Sequence, residues 1–318
     1  MTEQEPGEWR HGWQYFAATR LENTFRAGAV LSNEDRSSDA LLRSQAGCAS
    51  GAHLTALPVD AARTLKPTHL RLLLLRRLRL DLPLVVRRCK CGGTLDNRGD
   101  HRAACPTVGK LAQRARPLEK AWARVCREAG ARVLENYPLR ELNLEGLDDR
   151  DNRRLEVVAD NLPLWNGAQL AVDATLVSPV RRDGTAYSRA AAEDGVRLEA
   201  ARKRKEAKYP ELLDTRRCRL VVVAMEVGGR WSEEAWTFLT LLAEAKARSA
   251  PRGSQRSTQY CLLRRWSQIV SVAAQSAFAA TLLGESSGKT PAYDDLLPEW
   301  GDVLCDQEVT AEGPSRLR

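Results

Sequence analysis

Four potential metal ligands crowd into one short stretch, CKCGGTLDNRGDHRAAC, residues 89–105. They are Cys89, Cys91, His101 and Cys105, in a chain with only four histidines and eight cysteines. Thiolates and imidazole are the ligands zinc prefers, and a tetrahedral site closes the intervening chain into a knuckle. A close Cys pair followed by a His/Cys pair at helical spacing lets a turn and a short helix clasp one ion. Gly92-Gly93 supplies the tight backbone after the first pair, and Asp96-Asn97-Arg98-Gly99 closes the loop. The Cys-x-Cys spacing is one residue tighter than the usual Cys-x2-Cys. Four protein ligands leave no open position, so this zinc would be structural and not catalytic. The bland alternative is a chance meeting, with His101 a surface residue.

The net charge of +8 over 318 residues favours a polyanionic partner, most simply nucleic acid. The most apolar run, residues 70–86, is broken by arginines, so no membrane span is expected. No secretory signal opens the sequence, and a soluble, nuclear or intracellular protein is expected, not a secreted one. The remaining cysteines are scattered, and Cys218 and Cys261 sit where small buried thiols fit.

Residues 1–66 read as a mixed, loop-rich segment with a short helix expected over 9–28. Residues 67–129 hold a basic helix over 67–80, the Cys/His knuckle and a linker helix over 110–133, interrupted by Pro117 and closed by Gly130. The arginines of the basic helix are expected to form a solvated or phosphate-facing stripe. Residues 130–285 read as α/β. Strand-like runs over 153–162 and 168–178 flank Asn166-Gly167, a strong hairpin signal. A helix over 189–209, broken near Gly195, precedes the buried-type strand RCRLVVVAMEV. Ser232 with Glu233 and Glu234 starts a helix, and a long helix ends at Gly284. Residues 286–318 read as a flexible polar tail.

Asp160 and Asp173 lie in the two strand-like runs around the Asn-Gly turn. Alternation puts Ala171, Asp173, Thr175 and Val177 on one face, and Leu170, Val172, Ala174 and Leu176 on the other. A carboxylate among such residues needs a cation or a donor. Two carboxylates near a hairpin would make a hard oxygen site suited to Mg²⁺, and a plain salt bridge to arginine is the alternative. Glu156 and Glu226 are candidates for a third acid. Arg197, Ala201, Lys205 and Lys208 share a helix face; a lysine beside such a site can orient water or steady phosphoryl charge, whereas a solvated basic face is the commoner fate.

Taken together, the Cys-Cys-His-Cys cluster, the Asp-x12-Asp pair, "KEAKY" and "VVVAMEVGGRW" resemble the restriction-like endonuclease region of site-specific non-LTR retrotransposon polyproteins. The resemblance spans roughly residues 68–285. It implies an α/β fold with a PD-(D/E)XK core preceded by a zinc knuckle and a helical segment, and a Mg²⁺-dependent DNA endonuclease that nicks its target. It puts the zinc ligands on Cys89, Cys91, His101 and Cys105. It puts the catalytic acids, which would hold Mg²⁺, on Asp160 and Asp173, and the lysine on Lys205 or Lys208, followed by Tyr209. Lys205 is the preferred lysine. Ala159 replaces the usual proline, and Thr175 stands where a standard D-x-K has its lysine. Double-stranded DNA is the implied partner, with retroelement RNA a second. No polymerase motif is visible; AYDD at 292–295 is taken as accidental, and a free-standing fragment of such an element is expected. The rival is a catalytically inactive, zinc-containing nucleic-acid-binding remnant.

Overall fold

The computed structural model describes residues 16, 17, 19–21, 23, 24 and 35–285, apart from 109, 143, 145–147, 149 and 214. The polar tail, with its AYDD, and most of the helix expected over 9–28 lie outside the described residues.

Helix α1 (Arg36–Ser44) interrupts the expected loop-rich segment, capped by the Asp35 side chain on the N–H of Ser37. Helix α2 (Pro67–Arg77) begins on its proline, as expected for a residue with no N–H to lose at the first turn. Short strands β1 (Arg87–Arg88) and β2 (Thr94–Leu95) pair antiparallel and lead into α3 (Asp100–Ala104). Helix α4 (Lys110–Ala129) runs unbroken through Pro117, against expectation. An internal proline costs about 3 kcal/mol. Its buried face of Leu118, Ala121, Trp122, Val125 and Cys126 offsets that cost. Gly130 ends it at φ 107°.

The main sheet has the order β3 (Arg132–Pro138), β4 (Arg154–Asp160), β5 (Gln169–Val177), β6 (Cys218–Glu226). The first three form an antiparallel meander, and β6 lies parallel to β5. A parallel neighbour needs a crossover, supplied by α5 (Val196–Lys208). Gly195, at φ 76°, starts α5, so the helix expected from 189 begins only at Val196. Strand β3 was not legible: its largely exposed residues show no apolar alternation. Helices α6 (Glu233–Ala247) and α7 (Gln255–Leu283) follow, α6 capped by Ser232 and α7 ending at Gly284 in the left-handed region, both as expected.

Period-two alternation divides the core. Leu170, Val172, Ala174 and Leu176 join one apolar cluster with α4, α6 and α7. Ala171 and Val177 join another beneath α5, with Leu198, Ala201, Tyr209 and Val222. The first cluster also takes Leu72, Leu82 and Ala103, so α2 and the Cys/His module share a core with the sheet. No described helix is long and apolar enough to cross a membrane.

The hairpin expected around Asn166-Gly167 forms, with β4 and β5 antiparallel across it, but its loop is wider than the five residues between the expected strands. Backbone pairing stops at Ala159↔Leu170, and residues 161–168 form a wide loop with Trp165, Asn166 and Gly167 all at positive φ. One expectation needs correction: the arginines of the basic helix do not form a continuous solvated or phosphate-facing stripe, since only Arg71 is exposed. Arg76 is only 5% exposed, and its Nη2 lies 2.9 Å from Asp100 Oδ1. Arg77 donates to the carbonyls of Gly228 and Gln45. A guanidinium offers five donors, and here they tie chain segments together.

Asp100, itself buried, also accepts from Arg79 at 2.8 and 3.0 Å. Asp100→Ala would strand two guanidinium groups. We expect a loss of about 3–5 kcal/mol in urea unfolding.

Candidate functional site

The knuckle forms as the spacing requires. Cys89 donates its N–H to Gly93 O at 2.8 Å, and Gly92 donates to Cys89 O, which turns the chain so that both thiols face one point. Asp96 then accepts the N–H groups of Asp100 and His101 at 3.0 and 2.8 Å, fixing the start of α3. The ligand atoms of Cys89, Cys91, His101 and Cys105 all lie within 4.8 Å of one another. Cys89 Sγ to Cys105 Sγ is 3.9 Å, Cys91 Sγ to Cys105 Sγ is 3.7 Å, and Cys91 Sγ to His101 Nε2 is 3.3 Å. A tetrahedron with zinc–sulfur bonds of 2.3 Å has edges of about 3.8 Å. The cluster can therefore hold a metal ion and is compatible with zinc. Arg102 donates to Leu282 O at 2.7 Å, which fastens the module to the end of α7.

The acids arrange themselves differently from the sequence pattern. Asp173 is wholly buried, and its Oδ1 is ion-paired with Lys205 Nζ from α5. Its Oδ2 finds no hydrogen-bond donor. The partner acid is Glu156: Oε1 lies 3.4 Å from Lys205 Nζ, and Oε2 accepts the N–H of Ala174 at 2.5 Å. This is possible because β4 and β5 pair only over 157–159 and 170–172, leaving the Ala174 amide for a side chain. Burial, then Asp173, pushes the Glu156 carboxyl up to about 8. Burial opposes charge on Lys205, but Asp173 and Glu156 outweigh it and hold the ammonium above its ordinary range. Glu119 on α4 is raised by burial and then by Asp173. Glu119 and Glu156 open on a cleft of about 380 Å³ with Arg116, Asn136 and Arg154 on its rim.

Asp160 is not brought to Asp173. It is exposed at the end of β4, and its Oδ1 accepts the N–H of Asn161. Continuing the β4–β5 register sets Gln169 beside Asp160; Asp173 is four residues on, about 13 Å at strand rise. Of the two lysines, Lys205 reaches the cluster. Lys208 is exposed, with Nζ 4.7 Å over the Tyr209 ring. Tyr209 is buried; it donates to Arg154 O at 2.9 Å, and burial followed by Asp173 and Glu156 raises its phenol. Glu226 lies elsewhere, at the end of β6, 3.8 Å from Arg230.

Sequence reasoning named Glu156 only as a candidate third acid and missed Glu119. The signal for Glu156 was present: it shares strand parity with Asp160, and register alone decides which of them faces Asp173. Nothing local marks Glu119, which reads as one more charge on a charged helix.

No family model matches the chain, and no curated protein is significantly similar to it.

Gly93 leaves no room for a side chain: a Cβ there would lie 2.6 Å from His101 Cε1 and 3.0 Å from Nδ1. Gly93→Ala should weaken any metal binding by the cluster, zinc being the ion to test, by roughly ten- to a hundredfold in chelator competition, since the His101 ring must tilt. Glu226 gives a pH signature. Burial pushes it up to about 7, against Arg230 and Arg197 and with Asp194 adding. A carboxyl raised in the fold favours folding fully only below its unfolded pKa, and that contribution fades as pH rises through about 7. Glu226→Gln should match the parent's stability below pH ~4.5 and exceed it by about 2–3 kcal/mol at pH ~8 in denaturant titrations.

Proposed function

We propose that the chain is a metal-dependent DNA endonuclease with a PD-(D/E)XK-type core, related to the restriction-like nucleases of non-LTR retrotransposons. The observation that carries this reading is the buried Glu156–Asp173–Lys205 cluster. A helix, an antiparallel meander, a crossover helix and a fourth strand parallel to the third are compatible with such a core.

The donor set suits a hard divalent cation. Asp173 keeps one buried oxygen without a donor, and Glu156 is raised because two carboxylates crowd one dry site. Glu156 and Asp173 would hold Mg²⁺, which when bound polarises a phosphoryl oxygen and acidifies water. Lys205, held by both acids, would orient the attacking water and steady charge on the phosphate. Arg116 and Arg154 on the rim would meet the DNA backbone. The Cys/His module would act as a structural zinc knuckle.

The test is nicking of supercoiled plasmid with Mg²⁺ or Mn²⁺. Asp173→Ala and Glu156→Gln should each lower the rate by at least about a hundredfold, with DNA binding retained. Asp160→Asn should cleave at nearly the parent rate. Loss of cleavage in Asp160→Asn alone would remove Glu156 from the role given to it.

One observation favours the second reading, an inactive nucleic-acid-binding remnant. The Lys205 ammonium already sits against Asp173, and Asp160, where the resemblance places the first acid, stands apart. An unmutated chain that retains DNA but never nicks it would decide for that reading.

A further inference from the structure

Diagonally across the sheet from the carboxylate cleft lies a second concavity, of about 740 Å³, beside the first residues of β5 and β6. Its cationic wall is Arg202, Arg216, Arg217 and Arg219. Arg202 is neutralised by Glu206 at 2.9 Å and by Glu234. The other three are exposed, and among the described residues no carboxylate meets any of them. Three exposed guanidinium groups within four positions give the groove a concentrated positive charge.

Arg219 also has an aromatic partner. Its guanidinium lies 4.7 Å over the ring of Trp165, and that indole also stacks with Phe238 at 6.1 Å and 25°. The cation–π contact orders Arg219, which lowers the entropy a ligand must remove.

We propose that this groove is a phosphate clamp that holds a nucleic-acid backbone without reading its sequence. Guanidinium forks match phosphodiester oxygens bidentately, and the residues lining the groove include no buried, unpartnered side-chain polar group to read a base. A concave strip with Leu213 as its one exposed apolar side chain suits a strand better than a bilayer surface, which rewards a convex apolar insertion. The clamp needs no cleavage chemistry, and the Glu156–Asp173 cluster takes no part in it.

The experiment is fluorescence anisotropy of the full chain on a labelled random-sequence duplex across a KCl series. Arg216→Glu combined with Arg219→Glu should raise Kd at least about tenfold and flatten the slope of log Kd against log salt by about 2, since each lost phosphate contact removes roughly 0.9. Trp165→Ala keeps every charge, so it should weaken binding less and leave the slope unchanged. Arg216→Gln with Arg217→Gln, at two exposed positions, gives a milder variant whose fold is checked by zinc content. Plasmid nicking by these variants at saturating protein should persist if the parent nicks, which separates the clamp from the catalytic reading. Unchanged affinity and slope in the Glu variants would overturn the clamp, as would a parent that binds no nucleic acid. Loss of phosphatidylserine-vesicle binding with duplex binding intact would overturn it in favour of a membrane surface.

Discussion

The carboxylate of Asp173, wholly enclosed between sheet and helix, is the constraint around which the α/β body is arranged. An isolated buried charge is not tolerated, so the fold must deliver a cation to it. Lys205 can arrive only if α5 crosses back over the sheet, and that crossover is what makes β6 parallel to β5. The same charge holds Lys205 protonated and helps to keep Glu156 protonated to unusually high pH. Burial, crossover and perturbed acidity are thus consequences of one placement. Such a site stabilises a fold poorly, because hydrophobic residues of the same volume would do as well. Through Glu156 the site reaches a cleft that Glu119 also lines, a physical reason to look for function there.

The arginines show how a basic sequence distributes its charge. Several groups that look like a nucleic-acid face are spent on architecture. Arg76 and Arg79 close on Asp100, Arg102 and Arg114 satisfy backbone carbonyls, and Arg265 meets Glu128 beside Trp266. These contacts knit α2, the Cys/His module and the sheet into a continuous body. What remains exposed to a polyanion includes the groove beside Trp165, with Arg216, Arg217 and Arg219, among other exposed basic side chains such as Arg71, Arg87 and Arg204. Net charge alone could not distinguish the two populations, because a guanidinium on carbonyls counts the same as one in solvent.

The Cys/His knuckle and the carboxylate cluster differ in how they are built. The knuckle is local: its ligands, its turn and the aspartate that caps α3 fall within residues 89–105. The cluster is assembled from α4, β4, β5 and α5, none of which is close to all the others in sequence. Local sites read well from spacing. Assembled sites depend on register, and a strand shift of a few residues exchanges one acid for another.

The sequence by itself determined the Cys/His cluster able to hold a metal ion, the alternation that gives β5 its two faces, and the caps at Ser232 and Gly284. These follow from short-range rules: ligand spacing, strand parity and helix termini. Tertiary structure alone decided that Glu156, and not Asp160, stands beside Asp173, because the β4–β5 pairing ends at Ala159↔Leu170 and the strands part before Ala174. It also decided that α4 would pass through Pro117 and that exposed residues 132–138 would join as an edge strand. In each case a long-range partner, a core face or a neighbouring strand outweighed the local preference, and no window of adjacent residues contains that partner.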